Sequence, residues 1–179
     1  MRVTFPRLPD GQRAYALVER DDGVCYRLFG GTDPFPGPQL PHDIRHLIAE
    51  RELGLTDGIW AAIAAGLVLA SMQRVSGQPP THPAHPADRS RELIGRFAGP
   101  GLRAELLANL VESVAALDRP TAGQIRRLAQ IKLAAAPDAE VDPAAIAAAA
   151  TAMQVEAARW ARLRIGEELC YDWPGRPVR

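Results

Sequence analysis

Cysteine is scarce in this 179-residue chain: Cys25 and Cys170 are the only two, and they make no CxxC. They can bridge only if their strands are neighbours, so reduced thiols at half-buried strand positions are the expectation. An excess of one charge is lacking as well. Lys+Arg and Asp+Glu are both 21, and the formal net charge is zero. A phosphate backbone calls for a basic excess or stripe, so nucleic acid is not an expected partner. Aromatic residues make up 6% and are not interleaved with arginine, which argues against stacking on single-stranded bases. Long apolar runs are missing too. The longest uncharged run, Gly58 to Gln73, is shorter than the roughly 20 residues that cross a bilayer. The opening MRVTFPRLPDGQRAY has no apolar h-region. A cytoplasmic protein with no membrane partner is expected. GxGxxG after a strand, GxxxxGK[ST] and GxSxG are all absent, which removes the common nucleotide-binding and serine-hydrolase signatures. Lysine is reduced to Lys132, and with the many alanines this points to a high-GC bacterial gene.

What is present reads as one domain over residues 1–179, which is enough chain to bury a real core. The N-terminal region, 1–30, reads as strands: Val3–Phe5, Ala14–Glu19 and Val24–Phe29. Asp22-Gly23 between the last two is a hairpin signal of the type I′ kind. Gly30 to Pro41 holds four prolines and three glycines and reads as a loop. A helical region spans 42–165. Its first helix follows Pro41 and stops at Gly54. A second, apolar nearly all round, starts after an N-cap at Thr56 or Asp57, with Gly66 as a break point. A Pro-rich loop at 76–87 separates these from helices at Arg89–Phe97, Leu102–Leu117 and Gln124–Ala135, the last capped by Thr121. Asp142-Pro143 opens an Ala-rich helix to about Ile165. The segment 168–173 alternates and reads as a closing strand on the N-terminal hairpin. The fold class is therefore α+β: a small antiparallel sheet, N-terminal hairpin plus C-terminal strand, packed on about five or six helices.

The chemically capable cluster is His42-Asp43-Ile44-Arg45-His46, an HDxxH, with Glu50 four residues on. On a helix His46, Glu50 and Asp43 fall at about 40°, 80° and 100° from His42, whereas Ile44, Leu47 and Ile48 fall opposite. Two imidazoles one turn apart can grip one divalent metal, zinc being the usual choice. His42 and Glu50 are about 12 Å apart along the axis, so a third ligand must come from elsewhere. Asp57, Glu112, Glu156 and Glu168 are the candidates. Asp43 or Glu50 then serves as base or orienting carboxylate. The same arc also suits the solvated side of an amphipathic helix. His82 and His85, in HPAHP, read as an exposed loop.

The five residues from His42 to His46 resemble the zinc motif of a coenzyme Q biosynthesis family, in which a distant Glu completes the set. That resemblance implies zinc at His42 and His46. Asp57 lies one residue short of the Glu position and is not Glu, so the family's activity is not carried over. The longer stretch from Leu40 to Leu55, with Trp173-Pro174, resembles a group of short bacterial proteins, mostly actinobacterial, and implies no activity. The functional expectation is a small metal protein of hydrolase-like or lyase-like chemistry, acting on a small-molecule substrate. The rival is a helical interaction or homo-oligomer module. It would use the Leu106/Leu110/Val114 stripe and the Ala144–Ala152 face, unless both faces lie in the monomer core.

Overall fold

Alternating apolar residues build a sheet with one buried face. In the computed structural model, which describes residues 1–30, 39–79, 86–136 and 139–174, five strands pair throughout antiparallel. They are β1 (Arg2–Pro6), β2 (Tyr15–Glu19), β3 (Cys25–Phe29), β4 (Met72–Ser76) and β5 (Glu168–Asp172), in the order β4-β3-β2-β1-β5. Val3, Phe5, Val18, Tyr26, Leu28, Leu169 and Tyr171 are buried. They share one face because side chains alternate along each strand. The closing strand lies where expected: β5 pairs β1, with Val3 opposite Tyr171 and Thr4 opposite Cys170. Cys25 and Cys170 sit on β3 and β5, which are not neighbours, and both are free thiols.

The β2–β3 turn differs in type from the expectation. Gly23 N–H donates to the Arg20 carbonyl at 3.0 Å, and Gly23 alone there has positive φ, 81°. A type I′ turn would put two residues at positive φ. The hairpin instead keeps Asp22 out of that region. Asp22 Oδ1 accepts from Val24 N–H.

Helices α1 (His42–Glu52), α2 (Ile59–Ala64), α3 (Pro86–Ala115), α4 (Ala122–Lys132) and α5 (Pro143–Arg162) complete the architecture. No helix among the described residues is long and apolar enough to cross a membrane. The Thr121 cap is present as a full capping box with Gln124. Asp142 accepts from Ala144 N–H ahead of Pro143. Two helix expectations fail. The apolar run after Gly58 is helical only to Ala64. Gly66, at φ 111°, turns the chain out, and Leu67 N–H closes the end on the Ala62 carbonyl. Met72–Ser76 then becomes β4, an edge strand that occupies the open side of β3. Conversely, the two helices placed either side of Gly99-Pro100-Gly101 are one, α3. Pro100 has no N–H to give to the ladder. On its N-terminal side Leu93 packs with Ala62 and Leu67. On its C-terminal side Ala104 joins the main core. Packing on both sides holds the two halves in line.

The stripes offered to a partner are taken up within the chain. Leu110 and Val114 on α3 and Ala149 and Ala150 on α5 are buried in the same core, where α3 and α5 pack together. Gly95, on the exposed side of α3, has open space where a Cβ would lie. Gly95→Ala is expected to raise stability by about 0.5–1 kcal/mol, from reduced backbone freedom in the unfolded chain. A rise in the midpoint of chemical denaturation, at unchanged slope, checks it.

Candidate metal centre

Helix α1 positions the site. Its apolar arc is buried: Ile44, Leu47 and Ile48 are all 0% exposed. On the opposite arc Glu50 reaches the amides of α2 and His46 approaches Glu105 of α3. Exposure falls along this arc, from a half-exposed His42 to His46 at 7% and Glu50 at 1%. Pro41 precedes the first turn, and its carbonyl accepts from Ile44 and Arg45 N–H. Asp43 lies in that turn, where a negative charge favours the helix N-terminus.

The two imidazole rings converge. Their centroids are 4.3 Å apart, tilted by 36°. Among the described residues, His42, His46 and Glu105 each bring one potential ligand atom to within 4.8 Å of the others, and the three could hold a metal ion. His46 Nε2 stands 3.5 Å from Glu105 Oε2. In a tetrahedral zinc site ligand atoms are roughly 3.3–3.5 Å apart, given zinc–ligand bonds near 2.0–2.1 Å. Glu105 and His42 are both exposed and free to close that difference.

Glu105 was not among the acidic residues expected as third ligand. Those four are engaged elsewhere. Asp57 accepts from Arg103, and Glu112 pairs with Arg45. Glu156 accepts from the Tyr171 hydroxyl at 2.7 Å, and Glu168 lies on β5. Glu105 and Glu112 are seven residues apart and flank the same buried stripe of α3. The signal for a carboxylate at that edge was therefore present, but only the register of α1 against α3 selects Glu105.

The supporting carboxylates are placed differently. Asp43 Oδ1 is 3.5 Å from His42 Nδ1. A Cβ on Gly30 would lie 2.6 Å from Asp43 Oδ2, so glycine there makes room for the carboxylate. The hydrogen bond to Asp43 pushes the His42 pKa up, against its partial burial. Burial pulls the His46 pKa down, against the attraction of Glu105. His46 is thus disposed to be neutral and able to ligate. Glu50 lies a turn beyond and faces α2. Its Oε1 accepts from Ile59 N–H and its Oε2 from Trp60 N–H, both at 3.1 Å. Gly58 occupies the N-cap with no side-chain bond of its own. Glu50 therefore does the capping expected of Thr56 or Asp57. Burial pushes its pKa up to about 7, although the amides of Trp60, Ile59 and Ala61 work in the other direction.

His42, His46, Asp43, Glu50 and Glu105 line one side of a cavity of about 450 Å³. The remainder is largely apolar, with Trp60, Ile63, Leu67, Leu69, Ile94 and Phe97. Residues 31–38 of the Gly/Pro loop, and His82 and His85, lie outside the described residues. No protein-family profile, curated protein or solved structure matches this chain.

Proposed function

We propose that the protein is a divalent-metal enzyme of hydrolase-like or lyase-like chemistry, with zinc held by His42, His46 and Glu105. The observation that supports this reading is the convergence of three ligand atoms within 4.8 Å on the wall of an apolar cavity. Two imidazoles and one carboxylate leave a zinc coordination position open, which distinguishes a catalytic set from a closed structural one. A bound divalent ion would lower the pKa of a coordinated water toward neutrality. Asp43, 3.5 Å from His42 Nδ1, would orient the ring once a metal holds it, as carboxylates behind metal-ligating histidines do. Glu50 lines the same cavity with a pKa of about 7, which suits a general base working near neutral pH.

Zinc titration of chelator-stripped protein against a competing indicator tests the reading. One ion per chain, lost on His42→Ala, supports it; no saturable binding ends it. The affinity should also depend on pH, because His42 must shed a proton that Asp43 helps it keep. A proton competing with zinc weakens binding as pH falls. The affinity is therefore expected to rise with pH, by up to about tenfold per unit while His42 is protonated, and to level off once it is neutral; a series from about pH 6 to pH 8 covers the change. A titration series across that range, with a flat result counting against His42 as ligand, checks this.

A further inference from the structure

The composition of the cavity wall carries the assignment from reaction class to substrate class. On its polar side stand three carboxylates, Asp43, Glu50 and Glu105, with the two imidazoles. No arginine or lysine among the described residues lines it. The rest of the wall offers Ile63, Leu67, Ile94 and Phe97 to whatever enters. Trp60, 1% exposed and also lining the cavity, has an indole N–H with no acceptor among the described residues. The imidazoles of His42 and His46 on the polar side can each donate one N–H to a ligand acceptor. The volume of about 450 Å³ is that of a small-molecule site.

We infer that the cavity selects small uncharged molecules with an apolar body and one hydrogen-bond-accepting group, such as an ester, amide or ketone, and rejects carboxylates and phosphates. An anion entering the metal-free cavity would face Asp43 and Glu105, and above about pH 7 the Glu50 carboxylate as well, in a partly desolvated space where like charges repel. A neutral carbonyl compound meets the apolar wall and brings an acceptor without that repulsion. The chemical use of such a ligand rests on the metal centre proposed above; bound zinc would offset part of the carboxylate charge, so the selectivity against anions is that of the metal-free cavity.

The test therefore uses metal-free protein. Methyl 2-naphthoate and 2-naphthoate share one body and differ in charge. Equilibrium dialysis of each against chelator-stripped protein at about pH 8 should show the ester bound more tightly by at least about tenfold. Ile94 is 50% exposed, so Ile94→Arg adds a cation at the cavity wall without disturbing the core. It should narrow that ratio by about tenfold or reverse it, with the circular dichroism spectrum unchanged. Equal or tighter binding of the carboxylate overturns the inference. So does failure of both probes to bind, or an Ile94→Arg ratio like that of the wild type. Ester selectivity in a protein that takes up no zinc would remove the metal reading and leave this one standing. Zinc uptake without ester selectivity would do the reverse.

Discussion

A His46→Ala protein is expected to lose zinc affinity by well over the 10–100-fold typical of residues that merely support a ligand. His46 supplies the most buried of the three ligand atoms, at 7% exposure, and burial keeps it disposed to be neutral. The alternative is that His46 is only a core-facing partner of Glu105, with a separation of 3.5 Å. Loss of stability would not separate these roles, so Glu105 is the sharper probe. Its side chain is 47% exposed, and Glu105→Ala should alter stability by less than about 0.5 kcal/mol. It should still weaken zinc binding by at least about tenfold. Glu112→Ala and Asp57→Asn are the controls. Both remove an acidic residue from the neighbourhood, but Glu112 pairs with Arg45 and Asp57 with Arg103. Metal content by elemental analysis should fall for His46→Ala and Glu105→Ala and hold for both controls. Equal, negligible zinc in wild type and all variants would reduce the imidazole pair to packing.

Features set by neighbours in sequence were legible, and features set by register between elements were not. A helical step brings His42 and His46 onto one face whatever surrounds them. Thr121 with Gln124, and Asp142 ahead of Pro143, state their caps within four residues. Val3, Phe5, Leu169 and Tyr171 announce buried strand faces by alternation alone. Glu105 carries no such mark. It and Glu112 occupy equivalent edges of α3, and a shift of two turns between helices decides which meets His46. The Glu50 cap is similar, since the local candidates Thr56 and Asp57 were plausible in sequence. The space above the α2 amides is filled from nine residues away, by a carboxylate that α1 delivers. Strand β4 fails for a third reason. Gln73, Arg74 and Ser76 have little strand preference, all three are exposed, and the hydrogen-bonding edge of β3 recruits them.

The second large effect concerns Glu50, and its sign is unusual for a carboxylate. Its folded pKa, about 7, lies above the ordinary value of 4.5. Between these values the folded protein holds a proton that the unfolded chain has released. Stability from this group is therefore fully present below about pH 4.5 and falls as pH rises toward 7, by about 1.4 kcal/mol per unit. Relative to Glu50→Gln, the wild type should lose on the order of 2–3 kcal/mol between about pH 5 and pH 8. His46, whose pKa is lowered, contributes the opposite slope in both proteins and cancels in the difference. Urea denaturation across that range measures it. Parallel pH profiles for the two proteins would contradict a Glu50 whose burial raises its pKa. Gly58 supplies a geometric companion. A Cβ there would lie 2.1 Å from Glu50 Oε2, so Gly58→Ala must drive the carboxylate off the Ile59 and Trp60 amides. The buried Trp60 amide and the partly buried Ile59 amide would then lack their acceptor, at about 1–3 kcal/mol for the buried one and less for the other. That exceeds the roughly 0.4–1 kcal/mol usually gained by replacing glycine at a compatible site. Because both substitutions act on one contact, Glu50→Gln should cost less in the Gly58→Ala background than alone. Zinc content should remain at the wild-type level in Glu50→Gln, because Glu50 spends both oxygens on the α2 amides and is not one of the three converging ligands.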